Sequence, residues 1–116
     1  QYPVLVLEIK PPHHLLLIST REVADRLIRR RLVDLSECSL LPVLYGISAM
    51  GTKLCFYELE KASRRMSPRR IFSDPRLITD VAPKVRWDCN VLEASGEQRL
   101  RILATWLTEA CERLQA

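Results

Sequence analysis

Residues 2–10 read Tyr-Pro-Val-Leu-Val-Leu-Glu-Ile-Lys, an apolar run that ends in a carboxylate and an amine. Its valine and leucine residues favour extended backbone, so the run predicts a β-strand. Side chains on a strand alternate between its two faces, so Glu8 and Lys10 point the same way, roughly 7 Å apart at Cα. Because apolar residues occupy both faces, we expect an interior strand of a covered sheet.

The triplet Glu8-Ile9-Lys10 has the residue types of half a metal-dependent phosphodiesterase site. A carboxylate binds a divalent cation, and an ammonium beside it orients water or stabilises a developing anion. The competing interpretation is a strand that simply emerges into water, where charged residues are common. An interior position in the sheet favours the chemical interpretation.

The chain has 116 residues, 47% of them hydrophobic, which predicts a single domain over residues 1–116 with its own core. No stretch is long and apolar enough to cross a bilayer, so we expect no membrane partner. Its four cysteines lack zinc-site spacing and lie among apolar neighbours: Cys38, Cys55, Cys89 and Cys111. Buried, reduced thiols predict an intracellular protein of the nucleus or cytoplasm, with secretion as an effector as the alternative.

The net charge of +4 comes from two arginine-rich segments, one in a predicted helix and one in a predicted loop. Such clusters neutralise phosphates and make binding dependent on salt. The candidate nucleic-acid contacts are Arg26, Arg29, Arg30, Arg64, Arg65, Arg69 and Arg70. Each cluster taken alone is equally compatible with a solvated surface.

A helix is predicted to follow the first strand. Pro11-Pro12 ends that strand, because proline cannot donate to a ladder and restricts the residue before it. The tetrad Ser19-Thr-Arg-Glu22 has the pattern of a capping box at a helix start. Apolar residues then recur at helical spacing, and the helix is expected to end near residues 36–39.

A β-hairpin is predicted next. The runs 43–48 and 53–59 are β-rich and are joined through Ala49-Met-Gly-Thr52. Gly51 supplies the positive φ that such a tight connection commonly needs. Gly46 lies inside the first run, which indicates a bulge or a close backbone approach.

The second half of the chain is predicted to contain a long loop and a helix. Residues 61–86 are basic and broken by prolines, and we expect a loop there with one short strand near Ile78. Ser95-Gly-Glu-Gln98 opens the second helix with another capping box. Trp106 on that helix is assigned to the core or an interface rather than to base stacking.

This order of elements resembles the PD-(D/E)XK nuclease-like superfamily, whose core strand ends in (D/E)-x-K and precedes a crossover helix and further strands. Residues 44–57 look like the hairpin in N-terminal nuclease domains of type I restriction subunits. Residues 41–100, with Gly-Ile-Ser-Ala-Met-Gly, Ala-Pro and Arg-Trp-Asp, resemble uncharacterised basidiomycete-type fungal proteins, some with Crinkler-effector-like nuclease domains. The resemblance implies an α/β fold: a partial restriction-endonuclease-like core with a central mixed sheet and a C-terminal helix packed on it.

The resemblance implies roles for the first strand. Glu8 would bind Mg²⁺ or Mn²⁺, Ile9 would add its backbone carbonyl, and Lys10 would position or polarise the attacking water. The family's other carboxylate lies on the preceding strand, and the seven residues before Glu8 contain no acid. The chain therefore looks truncated at its N-terminus, and a longer parent or a second protomer would complete the sheet. Substitutes for the missing carboxylate would be Asp74, Asp80 or Asp88.

Two classes of function follow from this. The first is a metal-dependent nuclease module that acts on phosphodiesters and is incomplete in this chain, as a Mg²⁺-dependent endonuclease or a pseudo-nuclease. The second is a non-catalytic module on the same scaffold, which binds nucleic acid or protein or forms a homodimer. The arginine clusters would hold the nucleic-acid backbone in the nuclease and in the nucleic-acid-binding alternative.

Overall fold

A five-stranded mixed sheet with one helix on each face forms the centre of the protein. The computed structural model describes residues 2–74, 76 and 79–115. Its elements are β1 (Leu5–Lys10), α1 (Ile18–Ser36), β2 (Val43–Met50), β3 (Lys53–Glu60), β4 (Arg65–Ser67), β5 (Cys89–Asn90) and α2 (Ala94–Gln115). Short 3-10 helices span Pro12–Leu16 and Lys84–Arg86.

The strand order is β1-β2-β3-β4, with β5 paired to the start of β3. β1 runs parallel to β2 after the α1 crossover, and the other pairs are antiparallel. The predicted α/β class, with a mixed sheet, a hairpin and a C-terminal helix, is confirmed. The hairpin turns at Gly51, whose φ of 62° is the positive value expected there.

Helix α1 packs closely on one face of the sheet. Ile28 and Leu32 are fully buried and lie over Gly46, where an added Cβ would meet their methyl groups at 3.1–3.3 Å. Gly46 pairs regularly with Tyr57, so it serves the close approach of the helix and forms no bulge. Arg21 fixes the first turn of the helix to the loop, since it donates to the Ala82 carbonyl and to Asp80.

Helix α2 covers the other face. Its Leu103 packs with Ile47, Ala49 and Leu54 of the hairpin in a second apolar cluster. Trp106, the side chain assigned to core or interface, is 53% exposed and borders a small cavity with Tyr45 and Leu107 of that cluster.

β1 lies at the edge of the described sheet, and the prediction of an interior strand is wrong. Val6 is buried under α1, but Leu7 and Ile9 on the opposite face are 54% and 70% exposed because α2 does not cover them. Among the described residues β1 pairs with β2 alone. Completion of this edge by a second copy or an N-terminal segment stays a prediction.

The helix starts differ from the predicted capping boxes. α1 begins at Ile18, its N-cap Leu17 makes no side-chain cap bond, and Ser19 is inside the helix. Thr20 instead donates to the carbonyl of Leu17. α2 begins at Ala94, one residue before the predicted serine.

The basic loop contains a strand that the sequence did not predict, β4, which extends the sheet beside β3. The predicted strand near Ile78 lies outside the described residues. The thiols are free as expected, but only Cys55 and Cys89 are buried, while Cys38 is exposed.

Candidate functional site

Glu8 and Lys10 lie on the α1 side of the edge strand. Glu8 is opposite Ser48 of β2, and Lys10 is opposite Met50. The Glu8 carboxylate lies 3.4 Å from Nε of Arg31. The Arg31 side chain is 61% exposed and that of Glu8 20%, so solvent reaches the pair from the arginine side. Ile9 between them points to the uncovered face. The motif therefore forms a surface ion pair at a sheet edge.

The described residues do not provide the donor set for a divalent cation at Glu8. They contain no group of three or more His, Cys, Asp or Glu side chains that could hold a metal. The proposed substitutes are engaged elsewhere: Asp80 pairs with Arg21 at 2.8 Å, Asp88 lies 3.5 Å from Arg99, and Asp74 accepts the amide of Arg76. Mg²⁺ needs several anionic or neutral oxygens, and one carboxylate beside a guanidinium is a poor match for it. The metal site stays a prediction from the resemblance.

A groove brings the two arginine-rich segments together. We call it the arginine groove: two adjoining cavities that share Arg29, Met66 and Arg70. The first, of about 480 Å³, lies between α1 and residues 66–73, and the second, of about 620 Å³, lies between Arg29, the end of β3 and residues 65–70. Six of the seven predicted nucleic-acid contacts line it: Arg26, Arg29, Arg30, Arg65, Arg69 and Arg70. The tertiary structure therefore unites clusters that are about forty positions apart in the sequence.

Arg64 lies outside the arginine groove. It occupies a turn with a positive φ of 58° and lines a smaller cavity with Lys61 and Glu37. Its predicted role in the same contact surface therefore has no support from the geometry.

The groove is not uniformly basic. Four carboxylates outside the buried network also line it: Glu22, Asp34, Glu58 and Glu60. Within the described chain, neither these carboxylates nor the five exposed arginines of the groove form an ion pair within 4 Å. The exposed guanidiniums are thus available to a ligand, and the carboxylates weaken the field that attracts it.

Beneath the groove lies a buried charge network centred on Asp25. Tyr57 donates its hydroxyl to Asp25 at 2.6 Å, and Arg29 donates Nε to both carboxylate oxygens at 3.0 Å. Arg86 places Nη1 3.8 Å from the same carboxylate and donates Nη2 to the Arg69 carbonyl at 2.7 Å. The network therefore joins α1, β3 and the groove rim.

Burial keeps the hydroxyl and thiol of this region protonated. The pKa of Tyr57 is raised, first by burial and then by the neighbouring Cys55 and Asp25. Burial likewise raises the pKa of the Cys55 thiol to about 11. Tyr57 is therefore a permanent donor to Asp25 at neutral pH, and Cys55 is not a reactive thiolate.

No protein-family model, curated protein or solved structure matches this chain. The described helices include none that is long and apolar enough to cross a membrane. The functional argument therefore depends on the geometry of the groove.

Sequence reasoning missed Asp25, Tyr57, Arg86 and Phe72. Phe72 is 74% exposed, and the Arg70 guanidinium lies over its ring at 5.0 Å from the centroid. The run Arg69-Arg70-Ile71-Phe72 carries the signal, because an aromatic residue next to arginines is typical of single-strand binding. The members of the Asp25 network are separated by up to 61 positions, and no local pattern marks them.

Proposed function

We propose that this protein is a non-catalytic module that binds single-stranded nucleic acid in the arginine groove. The observation that carries the proposal is the convergence of Arg26 and Arg30 from α1 with Arg65, Arg69 and Arg70 on one groove. Arginine is suited to this task because its planar fork binds phosphate oxygens in bidentate fashion.

Phe72 lies beside the groove, next in the chain to Ile71 and Ser73 of its lining, and offers a second kind of contact. An exposed phenyl ring held beside Arg70 offers a flat face on which a base can stack. Stacking requires an unpaired base, so the ring favours single strands over duplexes. Arg86 fixes the backbone at Arg69 and so keeps this part of the rim against α1.

Four carboxylates in the groove limit the expected affinity for nucleic acid: Glu22, Asp34, Glu58 and Glu60. Their repulsion of phosphates opposes the arginines, so binding is moderate and falls steeply as salt screens the attraction. For five phosphate contacts to single-stranded nucleic acid, the logarithm of the affinity falls with the logarithm of salt concentration with a slope of about −3.5.

Fluorescence anisotropy with a short labelled single strand, titrated over a range of salt, tests the proposal. Arg26→Ala with Arg30→Ala removes two contacts and should reduce the slope by about 1.4. Phe72→Ala should weaken binding about tenfold or more with little change in slope, because stacking releases no counterions. Arg101→Ala, an exposed arginine of α2 outside the groove, is the matched control. Salt-independent binding, or equal effects of the groove and control variants, would refute the proposal.

Cleavage of phosphodiesters at Glu8 and Lys10 is the second candidate. It is favoured by their position on one side of β1 beside Arg31, which gives a carboxylate and two cations together. The resemblance to PD-(D/E)XK nucleases supports the same residues, with Mg²⁺ or Mn²⁺ as the expected cofactor.

A further inference from the structure

The buried network beneath the arginine groove contains more positive than negative charge. Arg29 and Arg86 face the single carboxylate of Asp25, and the side chains of all three are at least about 86% buried. One guanidinium is therefore uncompensated away from water, which is costly unless an anion approaches it.

Two nitrogens of this network form no hydrogen bond in the part of the chain that the structure describes, although one of them lies 3.8 Å from the Asp25 carboxylate. Nη2 of Arg29 and Nη1 of Arg86 are buried and form no hydrogen bond within the described residues. Buried guanidinium groups in folded proteins are normally satisfied, so an unpaired pair of donors beside one carboxylate indicates a missing acceptor. Arg29 lines both cavities of the groove, so the side chain that carries this unpaired donor borders the space that a ligand there would occupy.

The rest of the groove argues for a compact anion at this point rather than a long polyanion. Four carboxylates line the groove beside its five exposed arginines, whereas below it the two buried guanidiniums of Arg29 and Arg86 share the carboxylate of Asp25. A phosphate monoester carries a charge of about −1.5 to −2 at neutral pH and three acceptor oxygens. An internal diester carries one charge and continues in both directions, so it fits a buried corner less well.

We propose that Arg29 forms the floor of a site for the terminal phosphate of a single strand, an inference that rests on the proposed function. The Arg29 guanidinium holds the phosphate from below, and Arg70, which lines the same two cavities, contacts it from the rim. Phe72, beside Arg70, stacks the base next to that phosphate. The protein thereby binds single strands that end in a phosphate in preference to those that end in a hydroxyl.

The test compares one oligonucleotide with a 5′-phosphate, a 3′-phosphate or hydroxyl ends, in competition anisotropy at constant salt. We expect one phosphorylated form to bind about tenfold more tightly than the hydroxyl form, since a charge-assisted hydrogen bond provides a difference of that order. Arg29→Lys should bring the ratio to about one, because lysine loses the second donor of the fork. Arg101→Ala, an exposed arginine on α2, should leave the ratio unchanged.

A second measurement needs no variant and so does not depend on the folding of Arg29→Lys. Inorganic phosphate at about ten times its dissociation constant should raise the thermal midpoint by about 4 °C over chloride at equal ionic strength. Equal binding of all three oligonucleotides would overturn the end-reading inference and leave the proposed function standing. Absence of nucleic-acid binding together with phosphate stabilisation would refute the proposed function and support the phosphate site.

Discussion

Two charged clusters flank the same face of the sheet, and water reaches them very differently. Glu8 meets Arg31 through one contact of 3.4 Å at an open edge. Asp25 receives bonds of 2.6 and 3.0 Å from Tyr57 and Arg29 in the interior. The edge cluster comes from three consecutive residues and α1, whereas the interior one joins three distant segments. The Glu8-Ile9-Lys10 motif is visible in the sequence, whereas no sequence motif marks the Asp25 cluster. Charges interact more strongly in the Asp25 cluster, because it is shielded from water.

Of the substitutions that test this contrast, the one at Asp25 should have the largest effect on stability. Asp25→Asn keeps the shape of the side chain and removes the negative charge that pairs with two buried guanidiniums. We expect the free energy of unfolding to fall by about 3–5 kcal/mol, as measured by urea denaturation. Asp34→Asn, on the exposed side of the same helix, should change it by no more than about 0.5 kcal/mol. Similar losses of unfolding free energy for Asp25→Asn and Asp34→Asn would contradict the expected difference between buried and exposed charges.

Tyr57→Phe is expected to give an intermediate loss. It removes the hydroxyl that donates to Asp25 and leaves the buried ring in place. A hydrogen bond to a charged group contributes about 1.5–3 kcal/mol, and urea denaturation should show a loss of that size. Tyr45→Phe on the adjacent strand is the control, since Tyr45 is half-buried and its hydroxyl forms no hydrogen bond among the described residues. If Tyr57→Phe left the free energy of unfolding unchanged, the arginines alone would account for the stability of the interior cluster.

Glu8→Gln should have the smallest effect on stability. An ion pair with a largely exposed arginine contributes less than about 1 kcal/mol, and salt should reduce even that. The same variant examines the catalytic prediction through cleavage of labelled nucleic acid with Mg²⁺ or Mn²⁺, with Lys10→Ala in parallel. Metal-dependent cleavage lost in both variants would make the edge cluster an active site and reverse the functional ranking of the two clusters.

The predictions from sequence succeeded where the signal was local. The alternation of apolar residues predicted the strands of the hairpin, and Gly51 predicted the positive φ at its turn. The helical spacing of apolar residues predicted both helices to within a few residues of their ends. The capping box at Ser19 failed because the helix already begins at Ile18, which places Ser19 inside the first turn, and the N-cap residue Leu17 makes no side-chain cap bond.

The candidate site was predicted in part. Arginine clusters are visible in composition, and six of the seven chosen residues line the groove. The burial of Arg29 was not predictable, because its neighbours Arg26 and Arg30 are exposed and the local pattern treats all three alike. The interior placement of β1 failed for a related reason, since apolar residues on two faces do not show whether a second layer covers both.

The sequence by itself determined the mixed α/β class, the hairpin, the two amphipathic helices and the presence of two basic segments. These depend on interactions between residues a few positions apart, which periodicity and turn chemistry report. Only the tertiary structure decided that Glu8 lies at an edge, that the basic segments share a groove, and that Asp25 lies between two arginines. Those outcomes depend on which distant segments pack against one another and exclude water. Burial in turn sets how strongly the charged side chains interact.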